Sequence, residues 1–82
     1  RRWATLVFAA QAAAWVSREE WHPEQRGRHL DDGRYELQVP YVDDTELVMD
    51  VLRQGDEVQV VAPEALRDKV RRRLAAALAN AA

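Results

Sequence analysis

The apolar positions of this chain switch between continuous runs, a period of two and a period of three to four, and the switches mark its elements. Trp3 to Ala9 is a short apolar run containing Trp, Thr, Val and Phe, as in a buried strand. Ala10 to Glu20 is rich in Ala and free of Gly and Pro, and reads as a helix with Trp15 and Val16 on its inner side. Trp21-His22-Pro23 ends it, because proline disfavours the helical region for its predecessor. Gln25 to Leu30 is a weaker strand, and Asp31-Asp32-Gly33 is a hairpin turn with Gly33 free to take positive φ. Tyr35, Leu37, Val39 and Tyr41 then alternate with Arg34, Glu36, Gln38 and Pro40, the period of a strand with one face buried.

Asp43 as N-cap, with Glu46 three residues later, has capping-box spacing. Leu47, Val48, Val51 and Leu52 form one apolar stripe on the helix that follows, and Gly55 stops it. Val58, Val60 and Ala62 are the inner face of a fourth strand, with Glu57, Gln59 and Val61 outward. Pro63 suits the first turn of a last helix, in which Leu66, Val70, Leu74, Ala77 and Leu78 recur at three and four. The order β-α-β-β-α-β-α predicts an α+β, ferredoxin-like fold: a four-stranded antiparallel sheet with two helices on one face, plus an extra C-terminal helix.

Such a sheet leaves its second face open. The alternation puts Glu36 and Gln38 there from the third strand, and Glu57 and Gln59 from the fourth. RNA-recognition modules of this topology carry stacking aromatics on their central strands within a positive surround. Acidic and amide positions would repel phosphate instead, so the expectation is that this face is no RNA-recognition surface. These four positions and Trp21, beside a helix end, are the candidate protein–protein interface.

At 82 residues and 9.4 kDa, the chain has room for one domain, read as spanning 1–82. It has no cysteine, which excludes a disulfide framework, a thiolate zinc site and cysteine nucleophiles, and fits a reducing compartment. No apolar run approaches the roughly 18–20 residues that span a bilayer, and Arg1 to Ala14 lacks the pattern of a signal peptide. A first residue of Arg rather than Met reads as a fragment of a larger protein.

Charge is partitioned along the chain. Residues 1–30 hold five Arg against three acids, 31–57 hold Arg34 and Arg53 against nine acids, and 58–82 hold five cations against Glu64 and Asp68. An acidic block therefore lies between two basic ends. In the last helix, Arg67, Lys69, Arg71, Arg72 and Arg73 form either a solvated face, with Asp68 and Arg72 paired four apart, or a surface for an anionic partner. Arg26 and Arg28 share one face of the second strand and, with Arg18, make a smaller anion patch.

Nothing in the sequence forms a reaction centre. His22 and His29, seven apart, match no compact metal site. Asp31-Asp32 and Asp43-Asp44 sit where turns and helix caps use Asp. Ser17 has no histidine in a triad pattern, and Gly27, Gly33 and Gly55 are isolated, so no phosphate loop forms. No catalytic, cofactor-binding or metal-binding residue is assigned, and the chain is read as not an enzyme.

One set of residues carries a family resemblance: Trp15-Val16, then Trp21-His22-Pro23 and Gln25; the turn Asp32-Gly33 with Leu37 and Val39; Glu46-Leu47, Val51-Leu52 and Gly55; the strand Glu57 to Val61; and Pro63 with Leu66-Arg67 and Val70. Their order and spacing resemble the C-terminal extension, called WCX, of bacterial WYL-domain helix-turn-helix transcriptional regulators, over nearly the whole chain. The resemblance implies a ferredoxin-like domain in a cytoplasmic regulator. Its partners would be a second copy in a homodimer and the WYL domain of the same regulator. Promoter DNA would be met only through an N-terminal domain absent from this sequence. It also implies a second reading, in which Arg18, Arg26, Arg28, Arg67, Arg71 and Arg72 bind a single-stranded nucleic-acid effector directly.

Overall fold

Alternation along the first strand, β1 (Arg2–Phe8), decides the layout. Ala4, Leu6 and Phe8 are fully buried, while Trp3, Thr5 and Val7 on the other face are half-buried. The structure, a computed structural model, describes residues 1–81. After β1 come α1 (Ala10–Val16), β2 (Arg26–His29), β3 (Tyr35–Tyr41), α2 (Thr45–Arg53), a single 3-10 turn at Gly55–Glu57, β4 (Val58–Ala62) and α3 (Glu64–Asn80). The strands form one antiparallel sheet in the order β2-β3-β1-β4, so the ferredoxin-like arrangement with an added C-terminal helix is the fold of this chain. Leu6 faces Leu37 on one side and Val60 on the other, which fixes three strands in register through buried aliphatic contacts.

Onto that face pack Ala12, Ala13 and Val16 of α1, Leu47, Val48 and Val51 of α2, and Leu66 and Val70 of α3. Full burial of a side chain such as Phe8, Leu6 or Leu37 stabilises the fold by about 1.5–3 kcal/mol. The connections are local polar devices. Gly33 takes φ 91° in the hairpin turn and Gly55 takes φ 63° after α2, the left-handed region that glycine enters without a Cβ clash. The Gln25 amide oxygen accepts from the Trp21 and His22 amides at 2.6 and 3.1 Å, and its nitrogen donates to the Glu19 carbonyl at 2.8 Å. That side chain organises the loop between α1 and β2.

Several expectations are corrected. The first helix stops at Val16, not Glu20, and Gln25 belongs to the loop it holds rather than to β2. Trp15 is 49% exposed instead of facing inward. The stripe that meets the sheet is Ala12, Ala13 and Val16, whose small Ala side chains let the helix approach closely, and Trp15 falls off its edge. Trp3 is on the open face rather than inside a wholly buried strand. Glu57 lies in the 3-10 turn, not on β4. Asp43 accepts from the Thr45 amide and hydroxyl at 2.9 and 2.7 Å, but α2 starts after Asp44 and shows no reciprocal side-chain cap. Pro63 precedes α3 as its N-cap.

In α3 only Leu66 and Val70 of the apolar repeat are buried; Leu74 is 46% and Leu78 76% exposed. Length explains this. A helix of 17 residues runs about 25 Å, whereas the five-residue strand beside it covers about 17 Å, so the helix outruns the body it packs on.

Candidate functional site

Two surfaces carry chemistry, one on the open face of the sheet and one beside its β4 edge. The first is the open face. Strand register puts Trp3 opposite Pro40, Thr5 opposite Gln38 and Val7 opposite both Glu36 and Gln59. Arg26 and Arg28 of β2 come in beside Gln38 and Glu36. The Arg28 Nε donates to Glu36 at 2.7 Å, so the one acid of β3 on this face is neutralised, and only 17% of its side chain is exposed. The Arg26 guanidinium lies 4.7 Å from the centre of the Trp3 ring and that of Arg1 lies 5.6 Å away. Arg1 is itself held by a two-pronged pair with Glu24 at 2.7 and 3.0 Å, which keeps the Glu24 carboxyl below its ordinary range.

This face is therefore not the acidic surface that alternation in β3 and β4 alone suggests. A half-buried tryptophan stands on a central strand, an arginine in no ion pair among the described residues stacks on it, and the carboxylate is paired. Trp3 is the functional candidate that sequence reasoning missed. The signal was present, since Trp3, Thr5 and Val7 alternate with Ala4, Leu6 and Phe8, but an apolar residue on either face makes such a strand look like a continuous run.

The second surface lies where α3 runs back past β4, at the end of α2. A groove of about 200 Å³ opens there, walled by Leu52, Val58, Val60, Val70 and Leu74, with Arg67 and Arg71 at its rim. The Arg67 Nε is buried without an acceptor among the described residues, and the Nη2 of the same guanidinium lies 3.9 Å from Glu64. Lys69 binds both carboxylate oxygens of Asp44 at 2.8 and 3.0 Å, so the acidic block and the basic helix already meet within one chain. Asp68 and Arg72 form no ion pair among the described residues, and Arg73 reaches the Met49 sulfur at 3.9 Å.

The candidate cations fall into three groups instead of one surface. Arg18 is exposed just after α1, Arg26 and Arg28 lie on the edge strand β2, and Arg67, Arg71 and Arg72 are on α3 beside the opposite edge. The interface candidates are also divided. Glu36, Gln38 and Gln59 share the open face, Glu57 is in the turn before β4 with a buried, unpartnered Oε2, and Trp21 packs edge-on against Phe8 at 5.7 Å. Asp32, Asp43 and both histidines have local work. Asp32 accepts from the Arg34 amide and Nε, and its carboxyl is lowered first by the backbone hydrogen bond. The Asp43 carboxyl is lowered by the Thr45 amide. His22 Nδ1 accepts from the Glu24 amide, and His29 packs edge-on against Tyr35 at 4.9 Å.

With this geometry in place, the comparisons with known proteins are specific. The WCX domain family matches residues 1–78. Protein PafC of Mycobacterium leprae (strain TN) is 37% identical over 75 residues, which is 92% of this chain and 22% of that protein. The chain thus spans about a fifth of the length of the curated relative it matches. No helix among the described residues is long and apolar enough to cross a membrane.

Proposed function

This chain belongs to the WCX domain family, and we propose that it serves as a non-catalytic regulatory and dimerisation module of a WYL-type bacterial transcriptional regulator. In this role it holds two regulator subunits in a fixed relation, so that effector binding elsewhere shifts a two-state equilibrium felt by an upstream DNA-binding domain. Promoter DNA is contacted through that other domain, in the cytoplasm. The observation that carries this reading is the family match over residues 1–78, joined to two surfaces that stay largely uncovered among the described residues: the open sheet face and the outer half of α3. Light scattering after size-exclusion chromatography, over a hundredfold concentration range, tests the assembly half. A dimer at micromolar concentration is the expected result, and a monomer throughout sinks dimerisation by this domain.

A second reading, direct binding of a single-stranded nucleic-acid effector, draws support from one place only. Trp3 offers a stacking surface on a central strand, and Arg26 beside it offers a charge for phosphate. An oligonucleotide titration is expected to weaken steeply with salt and to be lost in Trp3→Ala. Binding unaltered by that substitution removes the open face from this role.

A further inference from the structure

The two edges of the sheet differ. β2 carries Arg26 and Arg28 around Gly27, the kind of charge that keeps an edge strand from pairing further. β4 reads Val58-Gln59-Val60-Val61-Ala62 and has no charge, glycine or proline to guard it. The Ala9 amide donates to the Glu57 carbonyl at 2.8 Å, which sets the phase of the ladder between β1 and β4. By antiparallel alternation, the amides and carbonyls of Val58 and Val60 point the other way, toward the free edge. That edge opens into the groove bordered by α3.

The groove's dimensions and charge narrow its occupant. About 200 Å³ is less than the roughly 300–1,000 Å³ of small-molecule and cofactor sites, and suits a single bulky apolar side chain. The rim is cationic: Arg71 enters no ion pair among the described residues, and Arg67 has its buried Nε unsatisfied. An edge strand facing a helix across an apolar slot is the arrangement in which peptides bind by adding a strand. We propose that an extended acidic segment of a partner protein pairs with β4 as a fifth strand. One apolar side chain of that segment sits between β4 and α3, and carboxylates two residues to either side, on the same face of the strand, meet Arg67 and Arg71. A second copy of this chain is a poorer occupant, because its own edge strands are uncharged (β4) or cationic (β2) and bring no carboxylate to the rim. The proposal stands apart from the regulatory reading and survives if that reading fails.

The test uses fluorescein-labelled peptides roughly eight residues long in which Asp and Val occupy alternate positions of one face with Thr between them (Asp-Thr-Val-Thr-Asp), here called Asp–Val peptides, titrated with the full chain and followed by anisotropy. Saturable binding is expected, with no comparable binding of a Lys–Val peptide. Arg71→Glu is expected to weaken it by about tenfold or more, and Arg18→Glu to leave it unchanged; both side chains are exposed, so folding is not at stake. Two further peptides carry N-methyl groups on the Val and Asp amides or on the Thr amides between them. Strand addition uses only the amides on one edge, so one of these peptides must lose binding and the other retain it. The proposal is overturned by no binding up to about 1 mM, by equal binding of the Lys–Val peptide, or by equal effects of the two methylation patterns. It is likewise overturned if the self-associated form seen by light scattering no longer binds the Asp–Val peptide, since a second copy then occupies the edge.

Discussion

Gly27 shows how one residue can be decided by a neighbour that the sequence does not place beside it. An added Cβ there would fall on the Tyr35 hydroxyl and 2.6 Å from Cζ. The Tyr35 ring has little room to yield, being 7% exposed and packed edge-on against His29. Alanine would gain about 0.5–1 kcal/mol from reduced unfolded-state freedom, while displacing a packed ring costs about 1–3 kcal/mol. The clash wins, and Gly27→Ala is expected to destabilise the chain by about 1–2 kcal/mol in urea unfolding. An unchanged midpoint would mean that Tyr35 swings aside freely. Trp3 has the opposite history: its residue type is apolar, yet strand phase puts it on the open face, where its use is stacking and not core packing.

Among the elements, α3 divides into an anchored and an unanchored half. Leu66 is 1% exposed and packs in the core, and Val70 joins it one turn later. Beyond Arg71 every described residue of the helix is exposed. The outer half persists because it is built from Ala, Leu and Arg, strong helix formers that need little tertiary help once a turn is in place. Leu66→Ala is therefore expected to cost about 2–4 kcal/mol. Leu78→Ala, an equal change of side chain at an exposed site, should cost no more than about 0.5 kcal/mol. Thermal unfolding followed by circular dichroism separates the two. Similar losses at both positions would mean that the outer half packs on the body after all.

For the whole molecule, the uneven charge along the chain is partly balanced by folding. Asp44 of the acidic block meets Lys69 of the basic helix, and Glu36 meets Arg28 across neighbouring strands. Folding also holds three exposed carboxyls below their ordinary range: Glu24 by Arg1, Asp32 chiefly by the Arg34 amide, and Asp43 chiefly by the Thr45 amide. A carboxyl with a lower pKa in the folded state stabilises that state fully above its unfolded value of about 4, and the gain is lost as pH falls through the folded value. Urea midpoints are therefore expected to drop below about pH 4, where these three groups take up protons. Added salt should reduce the Glu24 share, which rests on an ion pair, more than the shares of Asp32 and Asp43, which rest on backbone hydrogen bonds. A midpoint that stays constant well below pH 4 would contradict the assignment.

Local rules were enough to determine the element order and its ferredoxin-like closure. The clean alternation from Tyr35 to Tyr41, the glycines at 33 and 55, and the stripe of α2 each specify a short stretch of backbone through that stretch alone. They also carried the family resemblance, which the match over residues 1–78 bears out. The tertiary structure decided which of two apolar faces looks inward on β1, how far α3 reaches past its support, and which charges are already spent on each other. Each of these depends on residues distant in sequence: Arg26 comes to Trp3 across β3, and Arg67 comes to lie beside β4 because the helix turns back along it. Period and composition describe a segment's own preferences, and a surface made of several segments exists only once the sheet has fixed their order.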